Sequence, residues 1–248
     1  MIDKGVFFVL PKQAVLSAST TAGATSVSNM LHDEKALVWR STAVTAYILA
    51  VQAGLWDTLS LVGTNLRATD TIRVRAANSA EAVTTAPLVD QSFPAFTGMA
   101  KATGAMVLFR LPAAVSYTHI RIDISAPGHP SGFVQISNFV VGMAVERDGI
   151  DQGAEVSYDN QAANYLRKFL TKPTWKIALS GLTHDEWYGQ WEDFITEATD
   201  RSGVLFVPIY NGPHMQKQAA FISVVGSPKV TIQTSDSVNF ELTVTTIQ

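Results

Sequence analysis

Short hydrophobic runs with strand-like composition recur along the first half of the chain. Three of them, residues 47–51, 58–62 and 71–75, are rich in β-branched or bulky side chains, and each is followed by a turn signal containing glycine, asparagine or serine. In the last run, hydrophobic residues alternate with arginines, which is typical of a strand with one buried and one solvent-facing side. The pattern predicts β-strands at all three positions.

Further strands are predicted on both sides of this stretch. Residues 6–10 and 105–111 are hydrophobic runs, each followed directly by a proline. Residues 117–124 alternate between isoleucines and polar side chains, and residues 133–145 are again mostly apolar. Many short strands with almost no helix between them predict a mainly β fold, a β-sandwich or jelly roll.

The pattern changes after residue 148, where one amphipathic helix is predicted among further strands. Thr183 and Glu186 have the spacing of a capping box, and tryptophan, phenylalanine and isoleucine follow at helical intervals up to about residue 201. Strand-like runs return between residues 204 and 247. This half is therefore predicted to be a second β-rich unit with one helix at about residues 183–201.

A stretch of small polar residues, 17–28, separates the first predicted strand from the sandwich. We therefore predict an N-terminal strand arm, residues 1–22, then the sandwich, residues 23–148, and then the β-rich unit, residues 149–248. The arm would pair with strands of the last unit, which would make the sandwich an insertion within it.

Composition narrows the class of function. Charged residues make up 16% of the chain and hydrophobic residues 47%, and a low charged share favours a protein that hides part of its surface in an assembly. A net charge of −3 gives no sign of nucleic-acid binding. No apolar run approaches the roughly 18 residues of a membrane span, so no membrane insertion is expected. The N-terminal apolar run is too short for a signal-peptide core, so we expect no export by the usual route.

Motifs for catalysis and cofactor binding are missing from the sequence. It has no cysteine, no glycine-rich nucleotide loop, no zinc-protease helix motif and no nucleophile elbow. The five histidines are scattered without ligand-like spacing, so neither a metal nor a cofactor is expected. Acidic residues of the predicted helix would allow paired-carboxylate chemistry, but a solvated face opposite a hydrophobic stripe explains them. We therefore expect no enzymatic activity.

Four side chains form the candidate ligand-facing set. Arg73, Arg75, His119 and Arg121 all fall on the polar side of the alternating strands. Arginines beside a histidine can bind sugar hydroxyls or carboxylates, whereas a solvated or subunit-facing surface would explain the same residues. The loop at residues 127–132 is a further candidate, because loops of a sandwich often carry function.

Three segments of the predicted sandwich follow a known family pattern. Trp39-Arg40-Ser41 precedes a strand, residues 57–66 read D-x-L-x-L-x-G-x-N-L, and residues 71–75 read T-x-R-V-R. Together they resemble the galactose-binding-like (discoidin-type) jelly roll. The resemblance covers about half of the chain and implies that fold. It does not carry sugar binding with it, because many jelly rolls of this type are structural or protein-binding modules.

The layout of the whole chain is similar to that of minor tail proteins of long-tailed bacteriophages, in particular distal-tail and tail-tip ring proteins. The features involved are the short N-terminal β segment, the C-terminal β unit, and Gly181-Leu182-Thr183 leading into an acidic helix. This resemblance implies a structural protein at the virion tail tip, made in the host cytoplasm. Its copies would form a ring, commonly a hexamer, that joins the tail tube to the tip or baseplate complex.

The same resemblance names the partners and the residues that would contact them. The implied partners are other copies of the chain, the tail tube protein, the tape-measure protein and tip or hub proteins. Terminal strands suit subunit contacts, since an exposed strand edge can pair with a neighbour. The candidate assembly side chains on these strands are Val6, Phe8, Leu10, Phe240, Leu242 and Val244. The alternative function is a carbohydrate-binding module that attaches to a cell-surface glycan of the host.

Overall fold

The structure of the chain is a computed structural model. It describes residues 5–33, 36–52, 54–98, 105–147, 155–161, 170–200, 203–234 and 236–247. Strands dominate these ranges and helices are short, so the predicted mainly β fold is confirmed.

The first part of the chain supplies the first strand and a β-sandwich. Its strands are β1 (Val6–Val9), β2 (Ala14–Ala18), β3 (Trp39–Arg40), β4 (Thr45–Gln52), β5 (Trp56–Thr64), β6 (Thr71–Ala77), β7 (Val89–Pro94), β8 (Ala105–Val115), β9 (His119–Ser125), β10 (Gln135–Ile136) and β11 (Asn138–Gly142). A 3-10 helix (Val27–Leu31) precedes β3, and the short helix α1 (Ala82–Thr85) lies between β6 and β7.

The second part of the chain completes a larger sheet and carries the main helix. Its strands are β12 (Ala144–Arg147), β13 (Glu155–Gln161), β14 (Leu170–Leu182), β15 (Val204–Val207), β16 (Ala220–Val224), β17 (Lys229–Thr234) and β18 (Ser237–Thr246). The main helix consists of α2 (His184–Glu186), a π-helical turn (Trp187–Trp191) and α3 (Glu192–Asp200), and a short helix α4 (Met215–Gln218) follows β15.

The main helix begins where the sequence predicts it. The Thr183 hydroxyl accepts a hydrogen bond from the Glu186 backbone N–H at 3.1 Å, and the Glu186 carboxylate accepts one from the Thr183 N–H at 2.7 Å. This reciprocal pair is the predicted capping box. Trp187 and Trp191 then turn towards the sheet and contact Phe240 of β18, with ring centroids 5.8 and 6.2 Å away. The predicted amphipathic helix is therefore confirmed.

The sandwich consists of a five-stranded and a three-stranded antiparallel sheet. The strand orders are β2-β4-β9-β6-β7 and β11-β5-β8, and β3 and β10 form a separate two-stranded ladder. Ile120, Ile122 and Ile124 of β9 are buried, and so are Leu59 and Leu61 of β5, all in one hydrophobic cluster. The alternation seen in the sequence of β9 therefore marks the side of the strand that faces the core.

One end of the sandwich gathers several of its connections. Thr45, at the start of β4, pairs with Ser125 at the end of β9, and Ser125 also pairs with Thr71 at the start of β6. Because these strands are antiparallel, the chain segments that flank these positions meet at the same end of the sheet. We name this the loop end, and it consists of residues 19–25, 41–44, 65–70 and 126–134.

The second unit is an eight-stranded sheet of order β12-β1-β15-β16-β18-β14-β13, with β17 paired to β18. The first strand of the chain lies inside this sheet, between β12 and β15. In contrast, β2 pairs with β4 of the sandwich, although it falls within the predicted arm, residues 1–22. The units therefore divide between β1 and β2 and again between β11 and β12. These unit boundaries differ from the predicted boundaries, because pairing between strands that are distant in the sequence determines which unit a strand belongs to.

The two units are joined by a shared hydrophobic cluster. The outer face of the three-stranded sheet contributes Val62, Met106 and Val140, and β1, β15 and β16 contribute Phe7, Val9, Leu205, Val207 and Phe221. Both faces of β5 are consequently covered, and its Thr58 and Ser60 are fully buried. Ser60 satisfies its hydroxyl by donating to the Val107 carbonyl at 2.8 Å.

Most of the predicted assembly side chains are buried inside the chain itself. Their exposed fractions are 0% for Val6, 0% for Phe8, 1% for Phe240, 2% for Leu242 and 0% for Val244. All five belong to the cluster beneath the main helix. They are therefore not available for ring contacts in this structure. The alternating pattern shows which side chains share a face of the strand, but the helix that covers this face comes from elsewhere in the chain.

Candidate functional site

The predicted ligand-facing residues lie together on the outer face of the five-stranded sheet. In the pairing of β6 with β9, Arg75 is opposite Arg121, and Arg73 is opposite Asp123. His119 lies at the end of the same ladder, opposite the last residue of β6. The structure thus brings all four residues onto one face of the sheet, where Arg75 is buried at 7% exposure.

Each arginine of this surface is already paired with a carboxylate. Asp123 accepts hydrogen bonds from Arg75 at 2.6 Å and from Arg121 at 2.9 Å, with one carboxylate oxygen for each arginine. Asp90 accepts two bonds from Arg73, at 2.7 and 2.6 Å. A ligand that used these guanidinium groups would have to compete with the carboxylates of the protein itself.

The remaining groups of the outer face are also engaged. The Arg121 guanidinium lies 3.8 Å from the centroid of the Tyr47 ring and covers it. His119 Nδ1 is 3.0 Å from the Thr118 hydroxyl. Among the described residues of β4, β6 and β9, this face therefore offers neither an open aromatic surface nor an unpaired arginine to a ligand.

The Arg73–Asp90 pair yields a prediction about pH. Hydrogen bonds from Arg73 lower the pKa of Asp90 below its usual value. A carboxyl group with a lowered pKa stabilises the fold above its unfolded-state pKa, and this contribution is lost as the pH falls through the folded-state pKa. We expect Arg73→Ala to raise the pKa of Asp90 towards that of an unpaired aspartate, measured by NMR titration of the carboxyl carbon. An unchanged pKa would contradict the ion pair, and Arg121→Ala serves as a control on the same face.

The loop end carries a second candidate site, built around Arg40. Its guanidinium carbon lies over the Phe133 ring, 5.1 Å from the centroid, and its Nε donates to the Gln135 side-chain oxygen at 2.7 Å. The β3–β10 ladder places Arg40 opposite Gln135, which explains why the side chains meet. Arg40 is exposed, and the other two are half-buried. A cation, an amide and an aromatic ring thus share one small surface.

The backbone beneath this group is held by Asn65 and His129. The Asn65 amide donates to the Phe133 carbonyl at 3.0 Å and accepts from the Gln135 N–H at 2.8 Å. His129, 7% exposed, bonds the Asn65 carbonyl through Nε2 at 2.7 Å and accepts from the Ser131 N–H through Nδ1 at 3.2 Å. These partners require the neutral ring with its proton on Nε2. The connections 65–70 and 126–134 are therefore tied together.

An ion pair between the buried Asp70 and the partly exposed Arg67 also holds these loops. Asp70 is fully buried, and its carboxylate accepts from the Arg67 backbone N–H at 2.7 Å and from the Arg67 Nη2 at 2.7 Å. The hydrogen bond to Asp70 raises the pKa of Arg67 above its ordinary value. The Arg67 guanidinium also donates to the carbonyls of Pro127 and Gly128, at 2.9 and 3.1 Å. Hydrogen bonds and an ion pair consequently hold the connections 65–70 and 126–134 of the loop end to one another.

The sequence pattern indicated the 127–132 loop but not the residues that surround Arg40. The hydrogen bond between Arg40 and Gln135 joins residues 95 positions apart, and no local pattern reports such a contact. Both strands that carry them are only two residues long, too short to show alternation. The sequence did predict a turn at Asn65. It did not show that the Asn65 side chain bonds the backbone of Phe133 and Gln135.

A polar cluster lies between the two units. Arg110 Nη2 is 2.7 Å from Glu146 and 3.9 Å from Asp57, and its guanidinium lies over the rings of Phe7 and Tyr210, 4.9 and 5.0 Å from their centroids. Burial raises the pKa of Tyr210. Because its members come from both units, the cluster helps to fix the sandwich on the larger sheet.

An open groove of about 460 Å³ runs beside this junction, lined among others by Leu10, Lys12, Met143, Phe194 and Glu197. Leu10, the last of the predicted assembly residues, is partly buried there. Within the described ranges, no group of three side chains is arranged to hold a metal ion. None of the helices in the described residues is long and apolar enough to cross a membrane.

Comparisons by sequence find no match, whereas comparison by structure finds proteins that are similar over part of the chain. No protein-family model matches the sequence, and no curated protein matches it. A chitosan-binding module of a Paenibacillus sp. IK-5 chitosanase/glucanase is 16% identical, with 54% of this chain and 96% of that chain covered and a TM-score of 0.38. The family 32 carbohydrate-binding module of Clostridium perfringens NanJ, in complex with galactose, is 11% identical, with 54% and 98% covered and a TM-score of 0.40.

A third similar structure is the family 32 module of AlyQ in complex with 4,5-unsaturated mannuronic acid. It is 12% identical, with 53% of this chain and 97% of that chain covered and a TM-score of 0.39. Nothing in these comparisons indicates a phage tail protein. The chain itself consists of a β-sandwich joined to a second β-rich unit with one main helix.

Proposed function

We propose that the chain is a non-catalytic carbohydrate-binding protein that binds a saccharide at the loop end of its sandwich. The observation that carries the proposal is the group around Arg40. Its guanidinium lies over the Phe133 ring and is bonded to the Gln135 amide. Here an exposed polar group with unused donors adjoins an aromatic ring and an amide.

The chemistry of this group suits a saccharide. Recognition of a small polar ligand needs some apolar surface and a few polar groups in fixed positions. A guanidinium has five N–H donors, and an amide both donates and accepts. Hydroxyl groups of a sugar can use both, while the half-buried Phe133, with Arg40 over one side of its ring, contributes apolar surface at its exposed part.

The bonding of the loops supports the same proposal. Asn65, His129 and the Arg67–Asp70 pair hold the segments that carry Phe133 and Gln135. A surface that is ordered before the ligand arrives loses less conformational entropy on binding. The second unit covers the outer face of the three-stranded sheet and leaves Arg40 exposed.

Glycan-array binding followed by calorimetry tests this function. We expect Arg40→Ala to weaken binding of the best glycan by roughly tenfold or more, as expected for truncating an arginine that anchors a contact. Arg73→Ala, an exposed arginine on the outer face, is the matched control and should bind normally. Binding lost in Arg121→Ala but kept in Arg40→Ala would move the site to the outer face. A wild-type protein that binds no glycan would end the proposal.

A structural role in a phage tail tip is the second candidate, and one feature of the second unit favours it. Residues Leu170–Pro173 of β14 pair with β13, whereas β18 pairs with β14 only from Thr174 onwards. The β13–β14 hairpin thus extends beyond the sheet. An isolated two-stranded ribbon is marginal in water, so a neighbouring surface would stabilise it.

In this second candidate, the extended hairpin replaces the buried terminal side chains as the ring contact. The ring, a hexamer at the virion tail tip, would contact the tail tube, tape-measure and hub proteins. Native mass spectrometry and electron microscopy of the purified protein test it. A closed ring that is lost when residues 158–173 are replaced by a short turn would support this role. A strict monomer at all concentrations would count against it.

A further inference from the structure

The loop end carries positive charge on a chain that is acidic overall. Its connections, together with Arg40, contain two arginines and one aspartate. The chain as a whole has a net charge of −3. The hydrogen bonds of His129 require its neutral form, so this ring adds no charge.

Arg67 and Arg40 differ in whether a carboxylate neutralises their charge. Arg67 is neutralised by Asp70, since their side chains are joined at 2.7 Å and the aspartate is fully buried. Arg40 has no carboxylate partner among the residues that the structure describes, and the bond to Gln135 uses its Nε. The positive charge of Arg40 is therefore the one that a ligand at this surface would meet.

The geometry leaves one edge of this guanidinium for a ligand. A guanidinium can form paired bonds either through Nε and one Nη or through both Nη atoms. Gln135 occupies Nε, and the guanidinium carbon lies over the Phe133 ring, 5.1 Å from its centroid. The Nη1–Nη2 edge remains, and its direction is held by these two contacts. Such an edge matches the two oxygens of a carboxylate.

We infer that the loop end selects saccharides that carry a carboxylate, such as uronates, over neutral sugars. The inference rests on the proposed function and names the ligand class of that site. Exposed acidic groups that would repel such a ligand are absent from the loop-end connections, where the one aspartate is buried and paired. A carboxylate would thus gain a charge-assisted bond that a neutral sugar lacks.

Oligosaccharides of galacturonate and of mannuronate, each beside its methyl ester, provide the test. The ester keeps the sugar ring and removes the charge, so the ratio of the two dissociation constants isolates the carboxylate. By calorimetry with the full chain, we expect at least one free acid to bind roughly 10- to 100-fold more tightly than its ester. Raising the salt from about 50 to 500 mM should reduce this ratio, because the contact lies at the surface.

Variants of Arg40 show whether this residue causes the preference for the free acid over its ester. In Arg40→Gln the ratio should fall to near one, and in Arg40→Lys it should be intermediate, since lysine keeps the charge but not the paired donors. Arg73→Gln, which removes an exposed arginine elsewhere, should keep the wild-type ratio. Equal binding of acid and ester by the wild type, or a preference that survives Arg40→Gln, overturns the inference while the proposed function stands. If the chain binds neutral glycans but none of these acids and esters, the carboxylate selectivity is wrong and the proposed function stands. If it binds no glycan at all, the carboxylate selectivity and the proposed function are both wrong.

Discussion

Phe8→Ala is expected to lower the free energy of unfolding by about 3–5 kcal/mol, which is the usual cost of removing a buried aromatic side chain. Phe8 is fully buried in β1, and its ring centroid lies 4.9 Å from that of Phe206, 5.1 Å from that of Phe194 and 6.0 Å from that of Trp191. Truncation would leave a cavity surrounded by these rings. Urea denaturation followed by tryptophan fluorescence measures the change.

The same variant separates an interior role for Phe8 from an assembly role. Phe8→Leu keeps much of the volume and should cost less than the alanine variant. Val230→Ala removes a 44% exposed side chain of β17 and should change stability little. If Phe8→Ala instead left the stability unchanged and only reduced the mass of an oligomer, the side chain would have to face a partner, against this structure.

Gln216→Ala is expected to destabilise the protein by about 2–3 kcal/mol, because it leaves a buried carbonyl without a donor and removes a second bond. Gln216, on α4 of the second unit, is 5% exposed. Its amide donates to the Ala95 carbonyl at 2.9 Å and accepts from the Thr97 N–H at 3.0 Å, both on the sandwich. The variant therefore weakens the contact between the units, and differential scanning calorimetry should show a lower and broader transition.

Two further variants make this test specific. Gln216→Glu keeps the size and the acceptor for Thr97 but loses the donor to Ala95, so it should destabilise at least as strongly as alanine. Lys217→Ala, at an exposed position of the same short helix, should have little effect. A Gln216→Glu protein as stable as the wild type would show that the bond to Ala95 contributes nothing.

Stable attachment of the two units matters for both candidate functions. In a carbohydrate-binding protein, the shared hydrophobic cluster and Gln216 would fix the direction in which the loop end faces. In a tail-tip ring, the same contacts would hold the sandwich on the ring-forming sheet. The candidates differ in the surface they use, since one depends on Arg40 and the other on the β13–β14 hairpin.

The amino-acid sequence by itself determined the local structure of this protein. The isoleucines of β9 alternate with polar residues and all face the core, and the Thr183–Glu186 capping box begins the main helix. Both signals act over a few residues, because strand alternation and helix capping depend on neighbours along the chain. For the same reason, the sequence placed the four outer-face residues on one side of the sheet, although it could not show the carboxylates that pair with them.

Only the tertiary structure decided what covers each face and which distant residues meet. Phe8 lies in a continuous apolar run that does not say what covers it, and in the structure the main helix covers one face of β1 and the sandwich covers the other. Arg40 and Gln135 become neighbours through a ladder of two short strands separated by most of the sandwich. Burial and long-range contact depend on how whole elements pack, and a periodic pattern reports which side chains share a face without reporting what lies against it.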